Sequence, residues 1–290
     1  MNRCPRCCSQ ASSEGCSHCG YVPAVIDGFI AYAPELALQA PGYDPEHYHH
    51  LAILEAGNFW FKARNRLILW LFGKHFPEAR NYLEIGCGTG YVLSAISKSF
   101  PNLKSHGSEI FVEGLAIAAQ RAPKAFVFQM DARQLPFANA YDVIGAFDVI
   151  EHIQDDMCVL GQLGQALRSG GGLILTVPQH PWLWSAQDDF AHHVRRYRVG
   201  ELEGKLAESG FVVRWSSSFV SLLLPVLALS RLARRKKAGP ECDPFAEFKL
   251  PRWLNACLLG IMRTEIALLK AGIRFPAGGS RVIVAYKEHA

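Results

Sequence analysis

The stretch that decides the fold is Tyr82-Leu83-Glu84-Ile85-Gly86-Cys87-Gly88-Thr89-Gly90-Tyr91. Its apolar beginning predicts a buried parallel strand, and the pattern that starts near Ala95 predicts a helix after it. Glycines at such a turn allow tight backbone angles and let a ligand approach without meeting a Cβ atom. The free N–H groups of the following helix can bind an anionic group such as a carboxylate. The stretch therefore predicts an α/β fold with a ligand site at this turn.

The glycine spacing distinguishes this turn from the two common nucleotide loops. Gly86, Gly88 and Gly90 form G-x-G-x-G, whereas a dinucleotide fingerprint needs G-x-G-x-x-G and a Walker loop ends in Gly-Lys-Ser/Thr. Tyr91 stands where the third glycine of the dinucleotide pattern would fall. The spacing favours a different cofactor, although glycine-rich turns that serve packing alone remain an alternative.

At these residues the chain resembles the class I S-adenosylmethionine-dependent methyltransferases, whose first motif is E/D-x-G-x-G-x-G. The resemblance covers roughly residues 50–220 and the final strand. It implies that Glu84 orders the loop and that the glycine backbone lies against the methionine part of S-adenosylmethionine. It also implies a Rossmann-like sheet that is mostly parallel with an antiparallel last strand.

Alternating strands and helices follow the glycine loop. Helical stretches separate the first five strand candidates, and this order predicts a parallel α/β sheet with right-handed crossovers. Ligands bind such sheets at the carboxyl ends of the strands. The strand candidates are Lys104–Ile110, Ala125–Met130, Tyr141–Phe147, Gly172–Val177, Phe211–Ser216 and Arg281–Lys287.

Acidic residues close the second and third strands of the predicted sheet. Glu109 stands 19 residues after Gly90, where a carboxylate can accept hydrogen bonds from both ribose hydroxyls. The resemblance implies that Asp131 pairs with the adenine amine and that an aromatic or apolar residue packs near the adenine. The expected cofactor residues are Glu84, Gly86, Cys87, Gly88, Gly90, Glu109, Ile110, Asp131, Ala132 and Phe147.

The fourth strand leads into Phe147-Asp148-Val149-Ile150-Glu151-His152-Ile153, which resembles the family's segment after that strand. The resemblance implies that the Glu-His pair faces the substrate. His152 can then remove a proton from an accepting hydroxyl, since an ordinary imidazole has a pKa near neutrality. Alternatively, His152 only braces the cleft, because methyl transfer depends mostly on proximity and in-line geometry.

The loop from Pro178 to Tyr197 follows the fifth strand and mixes basic and aromatic residues. It resembles a loop of the same methyltransferase subgroup, in which an Asp precedes a His and then Arg-Arg-Tyr. Its place after a strand end predicts a roof over the substrate pocket that can hold a phosphate or carboxylate. A buried polar network that ties the loop down is the alternative. The catalytic candidates are His152, His193 and Tyr197.

Five of the nine cysteines lie within residues 4–19. Cys4-x2-Cys7 and Cys16-x2-Cys19 supply four soft ligands for tetrahedral zinc, and a closed four-ligand site is structural. A redox dithiol and plain free thiols are the alternatives. The segment resembles the zinc-ribbon leader found before some methyltransferase domains. Structural zinc is therefore the expected metal.

The chain divides into three parts. Residues 1–40 are the expected zinc-ribbon module, residues 41–80 a linker and a capping helix, and residues 81–290 the methyltransferase domain. The capping role comes from the resemblance. By periodicity alone, Leu51 to Phe76 is typical of an ordinary packing helix.

An apolar insertion at residues 219–279 departs from a minimal methyltransferase, which joins its last two strands by a hairpin. Phe219 to Leu229 is too short to span a bilayer, which takes about 20 residues. An apolar stretch beside a basic cluster is typical of contact with anionic membrane lipid, and a buried helical lid over the substrate cleft is the alternative. Both favour an apolar acceptor. The basic residues are Arg231, Arg234, Arg235, Lys236 and Lys237.

Half of the 290 residues are hydrophobic and 19% are charged, so a substantial core can form. A net charge of +4 is too weak to indicate nucleic acid, and residues 1–20 lack the apolar region of a signal peptide. We expect a cytoplasmic S-adenosylmethionine-dependent methyltransferase for a small-molecule or lipid-linked acceptor, with membrane contact through residues 219–237 left open. The competing hypotheses are a non-catalytic S-adenosylmethionine-binding module and an RNA methyltransferase that uses the ribbon for RNA.

Overall fold

The computed structural model describes residues 2–4, 6–7, 9–11, 15–37, 46–235 and 250–288. Strands and helices alternate along most of these ranges. The strands are β1 (Asn2–Arg3), β2 (Gln10–Ala11), β3 (Ala24–Ile26), β4 (Phe29–Ala31), β5 (Asn81–Ile85), β6 (Lys104–Glu109), β7 (Phe126–Gln129), β8 (Tyr141–Phe147), β9 (Leu167–Pro178), β10 (Phe211–Phe219) and β11 (Ser280–Lys287). The α-helices are α1 (Glu46–Glu55), α2 (Phe59–His75), α3 (Tyr91–Ser99), α4 (Val112–Arg121), α5 (Asp156–Ala166), α6 (Ala186–Phe190), α7 (Glu201–Glu208), α8 (Leu224–Arg235) and α9 (Arg252–Lys270).

Within the described ranges, nine strands form one sheet in the order β10-β11-β9-β8-β5-β6-β7-β4-β3. The strands from β5 to β9 run parallel, while β11 is antiparallel to both β9 and β10. The strand order reverses beside β5, which opens a crevice at the carboxyl ends of the strands. The expected α/β fold, mostly parallel with an antiparallel last strand, is confirmed.

Helices cover both faces of the sheet, which explains why its central strands are apolar almost throughout. Val143 and Ile144 in β8 are both fully buried and belong to different cores, because neighbouring strand residues point to opposite faces. Val143 shares its core with Leu71 of α2, and Ile144 shares the other core with Leu163 of α5. The two cores together fix the sheet that carries the crevice.

The N-terminal segment is joined to the large sheet. β4 pairs in parallel with β7 through Ala31 and Gln129, and β3 pairs with β4 and forms the edge of the sheet. The Gln129 side chain donates to the Ala33 carbonyl at 2.8 Å and accepts from the Ala33 N–H at 3.0 Å. The division near residue 40 stays a prediction, and the segment before it contributes two strands to the sheet.

The helical pattern of Leu51 to Phe76 belongs to two helices, α1 and α2. Gly57 and Asn58 lie between them, and the Asn58 side chain caps α2 by accepting a hydrogen bond from the Trp60 N–H at 2.8 Å. The linker residues 41–45 lie outside the described residues.

The insertion between β10 and β11 contains α8 and α9. α9 packs along α2, where Asn255 Oδ1 accepts a hydrogen bond from the Phe59 N–H at 2.9 Å. The buried Glu265 carboxyl accepts from the N–H groups of Ser221 and Leu222, both at 2.9 Å, so α9 also holds the turn that precedes α8. Within the described ranges, no helix combines the length and apolar character needed to cross a bilayer.

Candidate functional site

A cavity of about 790 Å³ lies at the carboxyl ends of β5, β6, β7 and β8. α1 and α2 form one wall, and the loop that contains α6 forms another. Of the residues expected to bind a cofactor, all except Gly90 line this cavity. The residues that do so are Glu84, Gly86, Cys87, Gly88, Glu109, Ile110, Asp131, Ala132 and Phe147.

The three loop glycines all have positive φ but meet different surroundings. A Cβ atom on Gly90 would lie 2.8 Å from the Cα atom of Ala118, so this glycine lets α3 approach α4. A Cβ atom on Gly86 would lie 2.6 Å from a side-chain carbon of the segment after β8. At Gly88 the nearest heavy atom is a ring carbon of Tyr48 at 4.0 Å. Gly88 is therefore the glycine that leaves open space for a ligand.

Glu84 ends β5 against the cavity and is 2% exposed. It accepts a hydrogen bond from the Tyr82 hydroxyl at 3.0 Å. Burial raises the pKa of its carboxyl to about 8, although the Tyr82 hydrogen bond and the charge of Arg64 act in the opposite direction. Glu84 is therefore mostly protonated at neutral pH, and a cationic ligand group beside it would favour the ionised form.

Glu109 links the end of β6 to the glycine loop. Its Oε2 accepts from the Gly88 N–H at 2.8 Å, and its Oε1 accepts from the Ile110 N–H at 2.7 Å. Burial raises the pKa of this carboxyl, while the two hydrogen bonds favour its ionised form. Each oxygen retains acceptor capacity that two hydroxyls of a ligand can use.

The ends of β7 and β8 supply a carboxylate and an aromatic ring. Asp131 forms an ion pair with Arg133 at 2.7 Å and lines the cavity beside Ala132. Phe147 is buried at the end of β8 and lines the same cavity. This combination suits a planar ligand group that carries an N–H donor.

Sequence reasoning missed a polar cluster that holds α1 over the glycine loop. The Thr89 hydroxyl lies 2.8 and 2.7 Å from the two oxygens of the Glu55 carboxylate, which also forms an ion pair with Arg121. Arg121 Nη1 donates to Thr89 Oγ1 at 2.8 Å. Glu55 lies 34 positions before Thr89 and 66 before Arg121, so no local pattern links the three.

Arg64 on α2 is a second feature that the sequence did not single out. It forms an ion pair with Asp148, which follows β8 with a φ of 59°. The guanidinium carbon lies 4.4 Å from the centre of the Trp60 ring, within the range of a cation–π contact. All three side chains line the cavity, so α2 contributes a cation and an aromatic ring to it.

Two of the three catalytic candidates lie together. The ring centres of His152 and His193 are 4.7 Å apart, and Glu151 Oε1 lies 3.9 Å from His193 Nε2. His152 lines the cavity, whereas His193 lies behind its wall. Desolvation within the cleft, followed by the neighbouring His193, lowers the pKa of His152 to about 4. His152 is therefore neutral at pH 7 and a weak base.

The fully buried Asp188 anchors the loop between β9 and α7. Its carboxylate accepts hydrogen bonds from His193 Nδ1 at 2.8 Å, Arg196 Nε at 2.7 Å and the Ser185 N–H at 2.8 Å. Burial alone would raise the pKa of Asp188, but the hydrogen bonds from His193 and Arg196 lower it to about 2. These contacts form a buried polar network that ties the loop down, as one of the two interpretations of the sequence predicts.

Tyr197 lies away from the cavity. Its side chain is fully buried, and its hydroxyl donates to Asp156 at 2.7 Å. Asp156 also forms ion pairs with Arg195 at 2.6 Å and Lys205 at 2.5 Å. The expectation that Tyr197 contacts an acceptor is therefore corrected, because this buried ion network uses its hydroxyl to hold the loop.

The four cysteines expected to bind zinc form one cluster. The Sγ–Sγ distance is 3.6 Å for both Cys4–Cys19 and Cys7–Cys16, and all four sulfur atoms lie within 4.8 Å of one another. None of these four cysteines forms a disulfide. Tetrahedral zinc with Zn–S bonds of about 2.3 Å separates its sulfur ligands by about 3.8 Å, so the spacing fits a closed zinc site.

The described residues of the insertion, 219–235 and 250–279, lie outside the cavity, which does not support a lid formed by this part of the chain. Its helices instead present apolar side chains to the surface: Val226 is 60% exposed, Leu229 67% and Trp253 68%. Arg231, expected in the basic cluster, is only 9% exposed. The other members, Arg234, Arg235, Lys236 and Lys237, lie outside the residues whose side chains the structure describes.

Comparison with known proteins agrees with this architecture. A family model described as a methyltransferase domain matches residues 49–214, and the chain belongs to this family. The chain is 27% identical over 165 residues to a probable S-adenosylmethionine-dependent methyltransferase of Mycobacterium tuberculosis, covering 55% of this chain and 58% of that protein. It is 27% identical over 204 residues to trans-aconitate 2-methyltransferase of Azoarcus sp., covering 63% of this chain and 78% of that protein.

The fold is shared with a solved structure, phosphoethanolamine N-methyltransferase 2 of Haemonchus contortus in complex with S-adenosyl-L-methionine. The TM-score is 0.58 at 17% sequence identity, covering 87% of this chain and 59% of that chain. At this identity the likeness concerns the fold alone. The match to the mycobacterial relative likewise spans less than two thirds of that protein, 58% of its length.

Proposed function

We propose that the protein transfers the methyl group of S-adenosylmethionine to a small or lipid-linked, largely apolar acceptor. The observation that carries the proposal is one continuous cavity. The motif residues of β5, β6 and β7 line it on one side, and His152 and the loop around α6 line it on the other. Such an arrangement brings a cofactor and an acceptor into one enclosure.

Each part of the cofactor has a chemically suitable partner in the cavity. Gly88 offers an open backbone position for the methionine part, and Glu109 offers carboxylate oxygens for the ribose hydroxyls. Asp131 and Phe147 suit the amine and the ring of adenine. The carboxyl of Glu84 can ionise in response to the positive charge of the cofactor.

The rest of the cavity favours an apolar acceptor with a polar end. Ile153, Phe190 and Val194 line it together with the side chain of His152. Methyl transfer needs a nucleophile held in line with the sulfur–methyl bond, and such an enclosure supplies that proximity. A neutral His152 can accept a hydrogen bond from a hydroxyl and so orient its oxygen.

The proposal is tested by incubating the protein with methyl-labelled S-adenosylmethionine and separate lipid, small-molecule and RNA extracts. We expect label in the lipid or small-molecule fraction, and its loss in a Glu109→Ala variant whose thermal unfolding is unchanged. Label in RNA would favour the competing hypothesis that the ribbon binds RNA. Cofactor binding without transfer to any extract would favour a non-catalytic binding module.

We further propose that Cys4, Cys7, Cys16 and Cys19 hold one structural zinc ion. The 3.6 Å sulfur spacing supports four ligands around one metal, and a closed set of four leaves no position for chemistry. β1 and β2, which pair beside the cluster, would then be held in place by the metal. The role is structural and is separate from methyl transfer.

Peripheral contact with anionic membrane lipid is proposed for residues 219–237. Exposed side chains such as Val226 and Leu229 on α8 support it, because an apolar surface of this kind can enter a bilayer interface. Buried Arg231 does not contribute charge to this surface, so any electrostatic part falls to the basic residues after it. We propose that the protein is cytoplasmic and contacts the membrane only at its surface.

A further inference from the structure

A group of potential metal ligands adjoins the cavity at the segment after β8. One ligand atom from each of Glu151, His152 and His193 lies within 4.8 Å of the others. His152 faces the cavity, and the other two side chains stand behind it. Catalytic zinc sites commonly use three protein ligands, and two imidazoles with one carboxylate are one such set.

The buried carboxyl of Glu151 has no hydrogen-bond partner among the described residues. The residue is fully buried, and both of its side-chain oxygens lack such a partner there. The nearby cations are engaged elsewhere, Arg64 with Asp148 and Arg196 with Asp188. Buried charged groups in proteins are paired or bind metals, so an ionised Glu151 needs a positive partner at this place.

His193 is oriented as metal-binding histidines commonly are. Its Nδ1 lies 2.8 Å from Asp188 Oδ1, and a carboxylate there requires the proton on Nδ1. In the tautomer that a metal ligand needs, Nε2 carries the lone pair, and this atom lies 3.9 Å from Glu151 Oε1. Two electron-rich atoms facing each other are stabilised when a cation lies between them.

We propose that Glu151, His152 and His193 bind one divalent ion of the zinc class at the wall of the cavity. Ligand bonds of about 2.0–2.2 Å bring ligand atoms to about 3.4 Å from one another, so small side-chain rotations complete the site. Three protein ligands leave a fourth position open, and His152 places that position toward the cavity. Asp188 acts as a positioning residue through His193.

This inference rests on the proposed function and narrows the class of acceptor. A metal ion at this place favours an acceptor that is methylated on a hydroxyl oxygen. Coordination of a hydroxyl to the ion lowers the pKa of the hydroxyl, and its proton leaves to water. The oxygen then forms a bond to the methyl carbon as the sulfur–methyl bond breaks. The electron pair of that bond stays on sulfur, which leaves a neutral thioether.

The test measures zinc binding on the tag-free full chain, by elemental analysis and by calorimetric titration of ZnCl2. The variants are wild type, Cys16→Ser, His152→Ala and Glu151→Gln. A second zinc ion should bind the wild type in addition to the ribbon ion and should persist in Cys16→Ser. His152→Ala should weaken the second site more than 10-fold, because loss of a direct ligand costs at least as much as loss of a supporting group.

S-adenosylhomocysteine affinity, measured on the same variants, separates this inference from the proposed function. Circular dichroism of His152→Ala shows whether the variant is folded, and His152 is the safest ligand to replace because its side chain is exposed to the cavity. The inference is overturned if the only zinc ion is the one lost in Cys16→Ser, or if His152→Ala and Glu151→Gln bind the second ion as the wild type does. A second ion that depends on His152, in protein that does not bind S-adenosylhomocysteine, would uphold the metal site and reject the methyltransferase function.

Discussion

Alanine substitution of two loop glycines should separate packing from ligand binding. Both Gly88 and Gly90 have positive φ, 52° and 73°, so an alanine at either position is strained by about 1–2 kcal/mol. Gly90→Ala adds a second cost, because its Cβ atom would lie 2.8 Å from the Ala118 backbone. Overpacking of this kind costs about 1–3 kcal/mol.

The free energy of unfolding should therefore fall by about 1–2 kcal/mol in Gly88→Ala and by about 2–5 kcal/mol in Gly90→Ala. Urea unfolding at equilibrium measures both values. Alanine also restricts the unfolded chain more than glycine does, which stabilises the folded state. This effect is nearly the same in both variants, so it does not change the difference between their free energies of unfolding. Equal losses of stability would refute the assignment of Gly90 to helix packing.

Ligand affinity should rank the same two variants in the opposite order. A Cβ atom on Gly88 enters the space that the cavity leaves open, whereas Gly90 does not line the cavity. Titration with S-adenosylhomocysteine should show a larger loss of affinity in Gly88→Ala. Unchanged affinity in Gly88→Ala would contradict the position proposed for the cofactor.

Three other outcomes follow from the structure. The folded pKa of Glu84 is about 8 and its ordinary value is 4.5. The pH-dependent cost of burying this carboxyl is therefore absent below pH 4.5 and increases as pH rises to 8. Glu84→Gln should therefore gain thermal stability over the wild type between pH 5 and pH 8, and a pH-independent difference would contradict this. Purified protein should contain one ribbon zinc ion that Cys16→Ser loses, and this variant should still bind S-adenosylhomocysteine. If all thiols of the wild type react freely, the ribbon site is contradicted. Leu229→Asp should reduce co-sedimentation with anionic vesicles at unchanged stability, whereas Leu223→Asp, at a buried position, should destabilise the fold; no sedimentation of the wild type would end the membrane proposal.

The sheet and the cofactor side of the cavity could be predicted from the sequence because their signals are local. Parallel strands buried on both faces appear as apolar runs, and the residue that ends each run lies at the ligand edge of the sheet. Glu109 and Asp131 were found in this way, and both line the cavity. The sequence places β3 and β4 in a separate module, since no short pattern reveals that β4 pairs with a strand about 100 positions later.

The opposite side of the cavity depends on contacts that sequence spacing does not encode. Glu55 and Arg121 meet over the glycine loop only because α1 folds back onto α4. Tyr197 follows two arginines in a loop that resembles the roof of a pocket, yet its hydroxyl is used by Asp156, which lies 41 positions earlier. Which residues of a polar loop face a ligand and which face one another is decided by such tertiary partners.

Titration calorimetry with S-adenosylhomocysteine tests the central claim most directly. We predict one molecule bound per chain, no binding of NAD, and an affinity about 10- to 150-fold weaker in Glu109→Ala, which corresponds to about 1.5–3 kcal/mol for hydrogen bonds to a charged group. Circular dichroism of the variant at the titration temperature shows that it is folded. Unchanged affinity in Glu109→Ala, or no binding to the wild type, would contradict the account.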